Sequence, residues 1–509
     1  MFTVAFAGPT TRGLALDESA EASDRGAQIY REQCAACHGD KGEGVKAAYP
    51  RVLTGDKSIA ELARYITAEM PEDKPEACVG DDATAVARYI YDAFYSPIAQ
   101  ARIRPPRIEL SRLTVRQYRN AVADVIGSFR EDASFGDERG LRGEYYNARQ
   151  PGRDRERVID RLDPEVRFDF SENESVPEEL GREGFAARWG GSLWAPETGV
   201  YELIVKTDHA ARLWVNDLDE PIIDAWVKSG SDTEYKASIA LLEGRPYSVR
   251  LEFSSRKQGV DDKKKPEKPI PAFIELWWKT PLRTAEPIPS RFLAPRSVPE
   301  LFVLETPFPP DDRSQGYERG TSISKAWADA TTAAAIETAG YVAKEIDNLA
   351  RTRERDDNRD EKIRAFLVRF VERAFRRPLG EDERGIYIDR QLESAPDVET
   401  AIKRVVMLTL TSPRFLYLDF GSPDRKPDAF TIAARLSFAI WDSIPDAELL
   451  EKAREGKLGT REEIAREAAR MVRDPRARSK TLAFLHHWLE IENISELGKN
   501  ADRFPGFGP

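Results

Sequence analysis

Thiols and imidazoles are scarce in this chain. Among 509 residues there are three cysteines and four histidines, and methionine occurs four times. So few cysteines exclude a small scaffold knitted by disulfides. No run approaches the ~18 consecutive apolar residues of a membrane-spanning helix, so the sequence predicts no transmembrane segment. An excess of base is missing too: Lys and Arg total 77 against 88 Asp and Glu, a formal charge of −11. A nucleic-acid partner calls for a basic face or stripe, so none is expected. There is no nucleophile elbow, phosphate loop or zinc-protease motif, and no fixed-period repeat. With 88 carboxylates present, any pair picked as catalytic acid and base would be arbitrary. What the chain does have is length for three or four domains of ~100–200 residues, and 41% hydrophobic residues to fill their cores.

The pattern predicts a multidomain protein. Residues 1–22 read as an export leader or a disordered tail. Ala5-Phe6-Ala7 before Gly8 has the small-x-small form of a signal-peptidase site, on an apolar stretch too short for a complete leader. Residues 23–98 predict an all-α domain, with Ile59, Leu62 and Ile66 on one stripe and Val86, Tyr89, Ile90, Ala93 and Phe94 on another. It is acidic, with nine basic against thirteen acidic residues between Ser23 and Pro97. A short helical segment follows within 105–130.

Over 138–281 the period drops to two. Tyr247, Val249, Leu251 and Phe253 alternate with polar neighbours, as do Ile274, Leu276 and Trp278, which predicts an all-β antiparallel sandwich. Lys263-Lys264-Lys265 reads as part of a solvated loop. Eight prolines between Pro281 and Pro310 predict an extended linker over 282–321. The C-terminal half is mainly α-helical, as one domain over 322–420 and another over 421–509. Ile363, Phe366, Leu367, Phe370, Val371 and Ala374 share a face, and Val405, Val406, Leu436 and Trp441 mark later helices. The last residues, RFPGFGP, suggest that the final domain is truncated.

One motif carries chemistry. Cys34-Ala35-Ala36-Cys37-His38 has the spacing of c-type haem attachment, in which two thiols add across the vinyl groups and the next histidine ligates iron. On a helix, positions i and i+3 share a side, so both sulfurs can reach one porphyrin edge. A thioredoxin-like dithiol would need a βαβ setting, which is absent. A structural zinc would need four ligands; only Cys78 offers another thiolate, and no second histidine precedes His209.

Elimination leaves Met70 as the candidate sixth ligand. Apart from Met1 it is the only methionine in the first four hundred residues, and Pro71 ends its helix so that the side chain need not be core. The competing role is a core filler. Cys78 reads either as a small buried hydrophobe or as a thiol that pairs between molecules. His486 and His487 point about 100° apart on a helix, which disfavours a shared metal.

The first domain, with CAACHGDKGEG, a central helix, Met70-Pro71 and an amphipathic closing helix, resembles a class I cytochrome c. GLRGEYYN, FAARWGGSLWAPETGVYELIVKTDHAARLWVND and the IELWW strand resemble a protective-antigen (PA-fourteen) domain. Some members of that family bind glycans through calcium held by two consecutive aspartates. The pair that the resemblance matches here is Asp208-His209, where the histidine removes a hard oxygen ligand and so weakens a calcium site. With SRLTVRQYRNAVADVIG, TPFPPDDRSQGYERGTSISKAW and FVERAFRRPLGEDE, the module order resembles planctomycete-type multidomain cytochrome c proteins.

These readings imply a periplasmic or extracellular electron-transfer protein with one covalent haem c, a redox partner protein, and a sandwich that binds a glycan or cell-surface ligand. The alternatives are an oxidoreductase with its substrate site in the helical C-terminal half, and a cell-surface carbohydrate-binding or structural protein.

Overall fold

In the computed structural model the described residues are 25–96, 99–100, 112–130, 135–152, 156–170, 179–180, 184–227, 231–255, 272–314, 317–321, 323–418, 427–489, 491 and 503. The leader residues 1–22, the Lys263–Lys265 loop and residues 504–509 lie outside them. The chain folds as two compact units, Met1–Glu109 and Leu110–Pro509.

Three helices dominate the described part of the first unit. Helix α1, residues 25–38, contains a π-helical turn at Tyr30–Cys34 and closes with Ala35–His38. Helix α2, Ile59–Glu69, starts at a capping box in which Ser58 and Glu61 satisfy each other's backbone N–H groups. Helix α3, Asp81–Ile90, continues into a π turn at Tyr91–Tyr95. Leu62 and Ile66 of α2 meet Tyr30, Val86, Ile90 and Phe94 in one buried cluster. Gly26 lets α1 touch α3: a Cβ there would lie 2.2 Å from the Ala85 carbonyl oxygen.

The second unit begins with helix α4, Val115–Gly127, capped by a Thr114/Gln117 box. A two-sheet sandwich follows. The larger sheet has the order β2 (Arg157–Asp163), β1 (Leu141–Tyr146), β4 (Ala186–Trp194), β9 (Pro246–Ser254), β6 (Ala210–Val215), β7 (Ile223–Ala225), with β12 (Leu293–Ala294) also on β4. The smaller runs β11 (Glu286–Pro287), β10 (Phe273–Lys279), β5 (Gly199–Lys206), β8 (Glu234–Leu241), with β3 (Arg167–Asp169) on β10. The alternating residues face inward: Tyr247, Val249, Leu251, Phe253, Ile274, Leu276 and Trp278 are all buried, with Trp189, Tyr145 and Tyr201 beside them.

The passage 282–321 is extended, yet it is not a free spacer. It supplies β11 and β12, and at Gly191 any Cβ would lie 2.1 Å from the Ala294 carbonyl oxygen, so the strap lies directly on β4. Ser248, which alternation alone puts in solvent, is buried beneath this strap. Its Oγ donates to the Val298 carbonyl at 2.6 Å and accepts from the Val298 N–H at 2.9 Å. Further along, Phe302 and Leu304 enter the helical core.

That core joins α4 to helices α5 (Lys325–Lys344), α6 (Arg359–Phe375) and α7 (Val398–Leu410). Tyr118, Val122, Val125 and Ile126 of α4 meet Phe366, Phe370, Val405 and Val406 there, so the short helical segment expected before the sandwich packs with helices that follow it. Helices α8 (Ala429–Trp441), α9 (Ala447–Arg454), α10 (Arg461–Met471) and α11 (Pro475–Trp488) enclose a smaller cluster around Trp441 and Met471.

Candidate haem attachment site

Cys34 ends the π turn of α1 and Cys37 lies in the α-helical turn after it. Both thiols are free; Cys34 is half-buried against the unit's core and Cys37 is exposed. The helix stops because Gly39 adopts φ +80°, where a side chain is strained. The buried Tyr30 hydroxyl donates to the Gly39 carbonyl at 2.8 Å and pins this exit. The loop then folds back. The Gly44 N–H donates to the His38 carbonyl at 2.8 Å and the Val45 N–H to that of Cys37 at 3.3 Å. Gly44 has φ +81°, and a Cβ there would meet the Tyr49 and Arg51 carbonyl oxygens at 2.7–2.8 Å, so this return favours glycine.

The electrostatics separate the chemical alternatives. Burial, with Cys78 and Cys37 nearby, pushes the Cys34 thiol up to about 11. A reactive dithiol needs the reverse, a thiolate stabilised by positive surroundings. Burial pulls the His38 imidazole below its ordinary value, so the ring is neutral near pH 7, the form that ligates a metal. Its Nδ1 is buried with no hydrogen-bond partner, and the Tyr49 ring meets it edge-on with centroids 4.7 Å apart. Among the described residues no three His, Cys, Asp or Glu side chains gather as a metal cluster, which leaves the zinc alternative without a ligand set. Two thiols on one helical side and a neutral, unclaimed imidazole directly after them fit a haem held by its edge.

Met70 follows the last residue of α2, its N–H donating to the Ile66 carbonyl at 3.0 Å. The helix ends there as Pro71 requires, but the side chain is not free of the core. It is half-buried and packs against the cluster that Cys34 also touches, because α2 lies on α3 and the chain leaving α2 stays on the same surface. Cys78 is buried, with its thiol raised by burial, which removes it from contact with another molecule.

In the second unit Asp208 and His209 occupy the turn between β5 and β6. The His209 ring packs against the buried Phe253 ring at 6.1 Å, so packing already engages the second residue of the pair. His486 and His487 fall in the last turn of α11, where His486 lines a large cleft. That cleft is rich in arginine and was missed by motif reading. Its only trace in sequence is the basic character of segments such as VERAFRRP and VRDPRARSK.

Four family models match the chain. Residues 21–90 match cytochrome c oxidase, cbb3-type, subunit III, and residues 137–278 match the PA14 domain. Residues 362–419 and 428–509 match two families of proteins of unknown function, DUF1595 and DUF1592. The chain is thus a multidomain protein with a cytochrome c domain, a PA14 domain and two helical domains of unknown function. A cytochrome c domain of this type implies covalently bound haem c.

Among curated proteins it is similar to anti-sigma-I factor RsgI3 of Acetivibrio thermocellus, 31% identical over 160 residues, or 31% of this chain and 22% of that protein. The chain therefore spans less than a quarter of that relative's length. Among solved structures it is similar to an anti-sigma factor domain-containing protein, at 27% identity over 32% of this chain and 50% of the other, TM-score 0.26. It is also similar to a PA14 sugar-binding domain from an RTX adhesin, at 16% identity over 32% of this chain and all of the other, TM-score 0.24. At such scores these likenesses carry no argument.

Proposed function

We propose that the first unit carries one haem c, bound through Cys34 and Cys37 with His38 and Met70 as axial ligands, in an exported protein that passes electrons to a partner protein. The observation that carries this reading is the pair of free thiols three residues apart on α1, followed directly by a neutral imidazole. Haem held by His38 and Met70 would supply a one-electron couple of raised potential, which suits electron transfer over oxygen chemistry. The protein's own residues prepare the site. The Cys34 thiol stays protonated at neutral pH, and Cys37 is open for attachment. The Tyr49 ring and the Gly44–His38 backbone bond hold the imidazole in place. Leu62, Ile66 and Phe94 keep water from the inner side.

The PA14 domain supports a glycan or cell-surface ligand for the sandwich, and the order of modules supports kinship with planctomycete-type multidomain cytochrome c proteins. Export follows from the same chemistry, since c-type haem is attached outside the cytoplasm.

The test is production of the full chain in a host with haem-ligation machinery. The exported protein gains the mass of one haem, and its spectrum is low-spin with a methionine–iron charge-transfer band. Replacing Cys34 and Cys37 with alanine removes the mass gain, whereas Met70→Ala removes the band and keeps the mass. Colourless protein of bare polypeptide mass overturns the reading; a band that survives in Met70→Ala overturns the axial assignment.

A further inference from the structure

The second unit holds an open cleft of about 1440 Å3 that the haem reading does not use. Its walls come from sandwich loops at Trp194 and Arg245, the strap at Arg291 and Glu300, and helices α4, α6, α9 and α11. Nine arginines and no lysine line it, against six carboxylates, in a chain whose net charge is −11.

Most of those carboxylates are already engaged. Asp446 takes two bonds from Arg470 at 2.7 and 3.2 Å, and Asp474 takes two from Arg476 at 3.0 and 2.7 Å. Asp124 is held by Arg245 and Ser443. Glu197 accepts from the Thr280 hydroxyl and the Leu282 N–H, and Glu300 faces Arg130.

Arg291, Arg373, Arg473 and Arg478 differ: among the described residues their side chains have no hydrogen bond or ion pair, and Arg291 only lies over the Phe292 ring. Arg473 and Arg478 are exposed at the rim. Arg373 is half-buried, and burial outweighs the pull of the nearby Asp446 carboxylate, which is itself bonded to Arg470, so the guanidinium has lost water without gaining a hydrogen bond. A planar guanidinium fork matches carboxylate or sulfate oxygens two at a time.

The apolar part of the wall narrows the class of ligand. Phe135, Trp194 and Phe292 line the cleft, with the Phe135 and Trp194 rings 5.3 Å apart. Arg139 lies over the Phe135 ring and Arg291 over the Phe292 ring, which leaves Trp194 as the face that suits a sugar ring, with its apolar C–H face and charged substituents at the edge. An acidic peptide has the charges but lacks the apolar C–H ring face. The volume exceeds the ~300–1000 Å3 of a small-molecule pocket, so it accommodates several linked units. Asp208 and His209 are not in the wall, so the cleft is separate from the β5–β6 turn.

We infer that this cleft binds an acidic polysaccharide, a chain of sugar rings bearing carboxylate or sulfate groups, with Arg373, Arg473 and Arg478 as the anion contacts and Trp194 as a stacking face. The inference stands whether or not haem is bound.

Calorimetric titration of the full-length protein tests it, using hexasaccharides of galacturonate, of sulfated galactose and of neutral galactose, with hexaglutamate alongside. At least one charged sugar binds tenfold or more tightly than the neutral one, and added salt weakens it. The exposed pair Arg473→Ala/Arg478→Ala weakens it about tenfold or more with unfolding unchanged, and Arg373→Met does the same while keeping the packed side-chain volume. Preference for the carboxylated or the sulfated probe identifies the charged group. Equal affinity for the neutral sugar, no binding of either charged sugar, indifference to the arginine variants, or hexaglutamate binding as tightly as the sugars would overturn it.

Discussion

Asp124 on α4 is the point where four parts of the second unit meet, so its removal is a sharp test of how they hold together. Arg245, from the β8–β9 turn, donates Nη2 and Nε to its Oδ1 at 2.8 and 3.2 Å. Ser443, just past α8, donates to Oδ2 at 2.6 Å, and Arg476 of α11 lies 3.6 Å away. Burial alone would raise this carboxyl, but Arg245 and then Arg476 outweigh it and hold it below the usual carboxylate range.

Removing one member of a buried ion pair costs ~3–5 kcal/mol. Here the cost is smaller, because Arg245 keeps the Asn120 side chain and the Glu243 carbonyl, both at 3.1 Å, and Arg476 keeps Asp474. The buried Ser443 hydroxyl loses its acceptor outright. We expect Asp124→Ala to lose about 2–4 kcal/mol.

Tryptophan fluorescence during urea unfolding reads this unit selectively, because all nine tryptophans lie within Leu110–Pro509. Trp441 sits at the network, with the Arg476 guanidinium 3.8 Å above its ring. A double-mutant cycle with Arg245→Ala should give a coupling of about 1–3 kcal/mol. The pH dependence follows from the lowered carboxyl. Its stabilisation is present above the ordinary ~3.9 of aspartate and disappears as pH falls through the folded value, so Asp124→Asn should flatten the acid limb. A loss under about 0.5 kcal/mol, or strict additivity with Arg245→Ala, would refute the reasoning.

Two further outcomes are expected. Gly26→Ala gains helix propensity but drives a methyl to 2.2 Å from the Ala85 carbonyl oxygen, a backbone atom that α3 cannot move aside cheaply. The clash outweighs the ~1 kcal/mol of propensity, so hydrogen-exchange protection of α3 falls; a rise would mean the helices do not cross there. Arg376→Lys is not conservative, because the buried guanidinium donates to the carbonyls of Arg414, Tyr417, Phe415 and Ala374 at 2.6, 2.9, 3.2 and 3.3 Å. An ammonium cannot span that set, and the variant should lose about 2–4 kcal/mol in the same urea experiment; an unchanged midpoint would show the bonds to be dispensable.

Features that depend only on neighbours along the chain were legible in the sequence. The Cys34-Ala35-Ala36-Cys37-His38 spacing is a local fact, and the period of two through Tyr247–Phe253 and of 3.6 through Ile363–Ala374 assigned strand and helix because each side chain's direction follows from backbone repeat. The tertiary structure alone decided the burial of Ser248 beneath the strap and the seating of Met70 on the core. It also decided the Asp124 cluster, whose Ser443 partner is 319 residues away. The arginine cleft belongs with these. Its guanidinium groups come from segments far apart in the chain, and their charge is meaningful only once folding has matched most of the nearby carboxylates to other donors. Spacing encodes which way a side chain points; which distant groups it meets, and which are left without a partner, is set by packing.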